Sequence, residues 1–123
     1  MKKILIVDDD VRILNTTRKV LETTGAYEVV TEDSGQRAVA AAASFLPDLV
    51  ILDVMMPGMD GGDVAKALGA QPATRAIPIL FLTSLVSKKD AAVQARPQDA
   101  EQYLAKSAGM QELCRRVAEL LAQ

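Results

Sequence analysis

Residues 4–10 read ILIVDDD: four apolar side chains run straight into Asp8, Asp9 and Asp10. An unbroken apolar run of this length suits a strand covered on both faces, because a half-exposed strand would alternate. Its end in three carboxylates crowds like charge at one tip. Two carboxylates about 4 Å apart at an effective dielectric of about 20 repel by roughly 4 kcal/mol. Such a tip stands only if a proton, a cationic side chain or a metal ion balances it.

The same pattern recurs along the chain. Strand-length apolar runs occupy 4–7, 28–31, 49–52, 78–82 and 103–105. Helical character fills the intervals. Residues 11–24 place Val11, Leu14, Thr17 and Leu21 on one stripe, and Ser34 stands as N-cap before an Ala-rich 35–44. Residues 62–70 carry Val64, Ala65 and Leu68, and 87–95 ends before Pro97. Residues 110–122 space Leu113, Val117, Leu120 and Leu121 as a helix does. Five strands alternating with five helices predict an α/β fold, a (βα)5 doubly wound parallel sheet with helices on both faces.

Composition narrows the chemistry. The chain has 123 residues, half of them hydrophobic, which fits one domain with a real core. Its 14 basic and 16 acidic residues give a net charge of −2 with no basic block, a poor match to nucleic acid or an anionic membrane. The opening apolar run is too short for a secretory or membrane-spanning segment. Cys114, the one cysteine, precludes an internal disulfide and fits a reducing cytoplasm. The absence of histidine excludes a Ser-His-Asp triad, a Cys-His dyad and the usual zinc site. Carboxylates, Lys and hydroxyls remain, and the metal they suit is a hard, oxygen-preferring cation.

In an open α/β sheet, sites lie beyond the carboxyl ends of the strands. Asp8 and Asp9 follow the first strand. Asp53 follows the third in LVILDVMMPGMDG, Thr83 the fourth in PILFLTS, and Lys106 the fifth in YLAKS. All five side chains should converge on one edge. Lys106 offsets only part of the acidic charge, which leaves a site shaped for a divalent metal.

Together these residues resemble the receiver domain of two-component response regulators, over essentially the whole chain. VDDD resembles the family's acidic pair, DVMMPGMDG its phosphoacceptor segment, TS its switch hydroxyl, and YLAKS followed by QEL its aromatic and lysine segment. The resemblance implies a flavodoxin-like sheet of order 2-1-3-4-5. It also implies that Asp53 accepts a phosphoryl group from a phosphohistidine on a sensor histidine kinase or phosphotransfer protein. Mg²⁺ would be held by Asp9, Asp53 and the backbone carbonyl of Met55, with Asp8 acting mainly through a metal-bound water. Lys106 would contact the phosphoryl group. Thr83 would bond it and draw its loop inward, and Tyr103 would rotate into the vacated space. On this reading 1–123 is a single receiver domain without an output domain. It would be a switch rather than a turnover enzyme, acting on a downstream protein and able to form a homodimer.

Two departures stand out. Ser107 replaces the proline that usually follows the family's lysine after a cis peptide bond. A cis bond before a non-proline costs about 2.5–4 kcal/mol, against about 0.5–1 before proline, so a trans bond and a strained cis bond are both open. The segment ARPQDAEQY also carries Pro97 and a polar run where a Gly-Ala pair is expected.

Several residues have plainer readings. Asp10 suits a helix cap, and Asp60 and Asp63 suit a turn before the third helix. Met56 suits gap-filling, and Cys114 a core or half-buried place. Two rival functions remain at this level: a receiver-like interaction module that takes no phosphate, and an aspartyl-phosphate phosphatase using Asp8 and Asp10. Arg12 stands where the latter would carry a small or β-branched residue. A nucleotide binder of this fold would want a Gly-rich loop in place of the aspartates.

Overall fold

A computed structural model of the chain describes residues 1–84 and 102–122. Five parallel strands, β1 (Lys2–Val7), β2 (Tyr27–Glu32), β3 (Leu49–Asp53), β4 (Ile79–Thr83) and β5 (Tyr103–Ala105), form one sheet of order β2-β1-β3-β4-β5. The helices are α1 (Val11–Thr23), α2 (Gly35–Phe45), α3 (Gly61–Ala70) and α4 (Met110–Leu121), the last entered through a 3₁₀ turn at Lys106–Ala108. The helix expected over 87–95 lies outside the described residues. No described helix is long and apolar enough to cross a membrane.

Strict alternation along the strands sorts the core into two layers. Leu5, Val7, Val50, Leu52, Ile79 and Phe81 face α2 and α3, whose Ala38, Ala42, Val64 and Leu68 cover them. Ile4, Ile6, Leu49, Ile51, Leu80 and Leu82 face Leu14 and Leu21 of α1 and Leu113, Val117 and Leu120 of α4. Every residue of β3 and β4 is buried, which explains why these strands read as continuous apolar runs.

Val11 departs from its expected stripe and is half exposed, whereas Leu14, Thr17 and Leu21 are buried. It occupies the first helical position, four residues past the end of β1. Helix starts match their chemistry. Asp10 caps α1 and Ser34 caps α2, while Asp60 and Asp63 form a reciprocal capping box that starts α3 at Gly61, one residue earlier than the spacing predicts.

Register carries the polar residues to one edge. Val7 pairs with Leu52, Asp53 with Leu82, and Thr83 with Ala105. Asp8 therefore falls level with Asp53, Thr83 one row beyond, and Lys106 one row beyond that.

Candidate functional site

The three aspartates after β1 take three separate jobs. Asp8 is fully buried; the Asp10 amide donates to its Oδ1 at 2.9 Å, and Lys106 Nζ lies 3.1 Å from its Oδ2. Asp9 is exposed and faces the open side of the cluster. Asp10 turns away to cap α1, accepting from the Arg12 amide at 3.0 Å. A side-chain bond from Arg12 holds the Asp10 carboxyl below its ordinary value.

Asp53, at the end of β3, is almost wholly buried. Its Oδ1 accepts from the Met55 amide at 3.3 Å and lies 3.2 Å from Lys106 Nζ. Its Oδ2 is buried with no hydrogen-bond partner among the described residues. Burial, and then the charge of Asp8, push the Asp53 carboxyl up to about 7 against the opposing pull of Lys106. Burial draws the Lys106 ammonium down, but the two carboxylates outweigh it and leave its pKa above the usual lysine value. The lysine therefore keeps its charge.

Lys106 reaches both carboxylates although Ser107 follows it. No cis peptide bond occurs among the described residues, so the Lys106–Ser107 bond is trans. The 3₁₀ turn at Lys106–Ala108 carries the chain from β5 toward α4.

One carboxylate oxygen from each of Asp8, Asp9 and Asp53 lies within 4.8 Å of the others. All the donors are oxygen, two of the three residues are buried, and Asp53 Oδ2 has no hydrogen-bond partner among the described residues. This set fits a hard divalent cation, with the exposed Asp9 closing it from the solvent side.

Around the cluster, Thr83 ends β4 and is buried. Tyr103 begins β5 opposite Phe81, and their rings stack with centroids 4.7 Å apart and planes 13° from parallel. The tyrosine ring is thus already packed inside. Met55 is 55% exposed, whereas Met56 is buried against the core.

The sequence reading placed Gly61 in the segment DVMMPGMDG but gave it no role of its own. A Cβ there would sit 2.4 Å from the Asp53 carbonyl oxygen and 2.9 Å from Val54 Cα. The Gly61 amide also donates to the Val54 carbonyl at 3.1 Å, closing the base of the loop that follows Asp53. Its place directly after the capping Asp60 was the available signal, because a helix start usually tolerates a side chain.

Residues 4–118 match the family described as the response regulator receiver domain, and the chain belongs to that family. It is 42% identical over 107 residues to Response regulator PleD of Caulobacter vibrioides, covering 85% of this chain and 22% of that protein. It is 38% identical over 120 residues to the alkaline phosphatase synthesis transcriptional regulatory protein PhoP of Bacillus subtilis, covering 98% of this chain and 48% of that protein. The chain thus spans between about a fifth and a half of these curated relatives. Among solved structures, Vibrio cholerae chemotaxis protein CheY4 aligns with a TM-score of 0.84 at 30% identity over 98% of both chains. The receiver domain of sensor histidine kinase PA1611 from Pseudomonas aeruginosa aligns at 0.85 and 27% identity, covering 99% of this chain and 98% of that one; it holds a magnesium ion in its active-site cleft. The flavodoxin-like fold expected from the sequence is the fold found.

Proposed function

We propose that this domain is the phosphoacceptor switch of a two-component or phosphorelay system, with Asp53 taking the phosphoryl group. The observation that carries this reading is the buried Asp53 carboxylate: one oxygen is held by Lys106 and the Met55 amide, and the other has no hydrogen-bond partner among the described residues. In the transfer, an Asp53 oxygen forms the new P–O bond as the P–N bond of a partner's phosphohistidine breaks. The electron pair leaves with the imidazole. The chain has no histidine, so the donor is a sensor histidine kinase, a phosphotransfer protein or a small acyl phosphate.

Asp8, Asp9, Asp53 and the Met55 carbonyl would hold Mg²⁺, whose charge neutralises phosphoryl oxygens when bound. Lys106 adds a fixed positive charge from the opposite side, and burial of Asp8 and Asp53 strengthens that field. Thr83 bonds the new phosphoryl oxygen, and its shift acts on the packed Tyr103 ring. A local charge event is thereby read as a change in surface. That surface serves a downstream protein partner rather than nucleic acid, in keeping with the net charge of −2. The domain spends one phosphoryl group on itself and turns over no external substrate.

Incubation with Mg²⁺ and acetyl phosphate, read by intact mass, tests the assignment. One phosphoryl group on the wild type and none on Asp53→Asn is the expected result. Equal addition to both proteins, or none to either, rules it out.

A further inference from the structure

The loop after Asp53 is fixed at both ends by its own stretch of chain. Gly61 bonds back to Val54 at its base, and the Asp60–Asp63 capping box sets its far end. Its flank is set from elsewhere. Gly35 opens α2 and is buried, and a Cβ built there would sit 2.5 Å from the Met59 carbonyl oxygen. The same Cβ would meet Met59 Cβ and Val64 Cγ2 at 3.0 Å each. The nearest obstacle is backbone, which cannot swing aside as a side-chain tip can.

Gly35 is a helical residue, and alanine is the better helix former. Conformation does not call for glycine here; space does. The Gly35 Cα therefore lies directly against the loop that carries Met55, with Pro57 restricting the turn between them and Gly58 taking its left-handed position at φ +76°.

We infer that Gly35 is a positioning residue for the metal and phosphoryl site, setting the place of the Met55 backbone through its contact with Met59. This inference rests on the function proposed above. Mg²⁺ demands near-ideal octahedral geometry, so a small shift of one ligand-bearing loop costs affinity out of proportion to its cost in stability. Groups that only orient metal ligands are commonly worth 10–100-fold in affinity.

The test is a MgCl₂ titration by calorimetry, with thermal unfolding in EDTA as the stability control. Gly35→Ala should weaken Mg²⁺ binding by about 10-fold. Val117→Ala, in the opposite core layer, should lose stability yet keep its Mg²⁺ affinity within about twofold. Met59→Ala leaves the carbonyl and Cβ that face Gly35 and should also bind normally. Unchanged affinity in Gly35→Ala overturns the inference, as does an equal loss in Met59→Ala, which would assign the effect to side-chain packing. A wild type that fails to bind Mg²⁺ refutes the proposed function instead. Should Gly35→Ala not fold, the wild type decides by NMR: the Gly35 amide should titrate with Mg²⁺ in step with Met55. A Gly35 signal that stays put while Met55 moves overturns the inference.

Discussion

Lys106 Nζ lies 3.2 Å from Asp53 Oδ1, and the same ammonium lies 3.1 Å from Asp8 Oδ2. One cation thus bridges the two buried carboxylates of the cluster. Removing it leaves both without that charge, and breaking such a pair is expensive. Lys106 is itself a quarter exposed, which moderates the loss. Lys106→Met should destabilise the metal-free domain by about 2–4 kcal/mol, measured by urea unfolding in EDTA. Its Mg²⁺ affinity should rise by roughly fivefold, because a nearby like charge is gone. Phosphorylation by acetyl phosphate should nevertheless slow. A fall in Mg²⁺ affinity would contradict the placement of Lys106 beside the ion.

Asp53 predicts an inverted pH profile for the metal-free domain. Its carboxyl is pushed up to about 7 from an ordinary value near 3.8, so between these limits the folded chain binds the extra proton. Stability must then fall as pH rises from about 4 through about 7, the reverse of a salt-bridged aspartate. Asp53→Asn removes the titration. It should match the wild type near pH 4 and exceed it by about 1–3 kcal/mol at pH 8 in EDTA. Excess Mg²⁺ should restore wild-type stability at pH 8, since the ion binds the folded form. Parallel stability curves for the two proteins from pH 4 to pH 8 would contradict the buried, Asp8-opposed setting of Asp53.

Gly61 and Gly25 separate crowding from conformation. At Gly61 a Cβ would press on the Asp53 carbonyl oxygen at 2.4 Å, whereas at Gly25 it meets nothing within 4 Å but the φ is +75°. Gly25→Ala should cost only the left-handed strain, about 1–2 kcal/mol, with normal phosphorylation. Gly61→Ala should cost about 1–3 kcal/mol from overpacking and also slow phosphorylation, because the displaced backbone is that of Asp53, the proposed phosphoacceptor. Similar phosphorylation rates in the two variants would show that the close approach at Gly61 does not govern the site.

Much of this arrangement was legible in the sequence because it follows from short-range rules. Unbroken apolar runs gave the parallel sheet, and each polar residue directly after a run marked the carboxyl edge. Register then had little freedom: once Val7 lies beside Leu52, Asp8 must lie beside Asp53. What stayed hidden depends on where one element ends against another. Periodicity put Val11 on the buried stripe, but at the first position of α1 it is exposed. The close approaches at Gly35 and Gly61 arise between segments distant in sequence or folded back on themselves, and no spacing announces them. The reach of Lys106 past Ser107 is likewise a matter of turn geometry, which residue identity alone left open.

Asp9 and Asp10 are neighbours with opposite expected signatures. Asp9 is exposed and contributes an oxygen to the acidic cluster, so its charge adds repulsion to the metal-free domain and attraction for a cation. Asp10 points away and caps α1 through the Arg12 amide at 3.0 Å. Asp9→Ala should therefore weaken Mg²⁺ binding by at least about 10-fold while leaving metal-free stability unchanged or slightly raised. Asp10→Ala should lose about 1 kcal/mol of stability, the usual worth of an N-cap, with Mg²⁺ affinity within about threefold of wild type. Calorimetric titration and urea unfolding of the two variants side by side read both quantities. The crossed pattern is the point, since general damage at the end of β1 would lower both measurements in both proteins. Equal losses of Mg²⁺ affinity would mean that the side chains have not divided the work as their directions indicate.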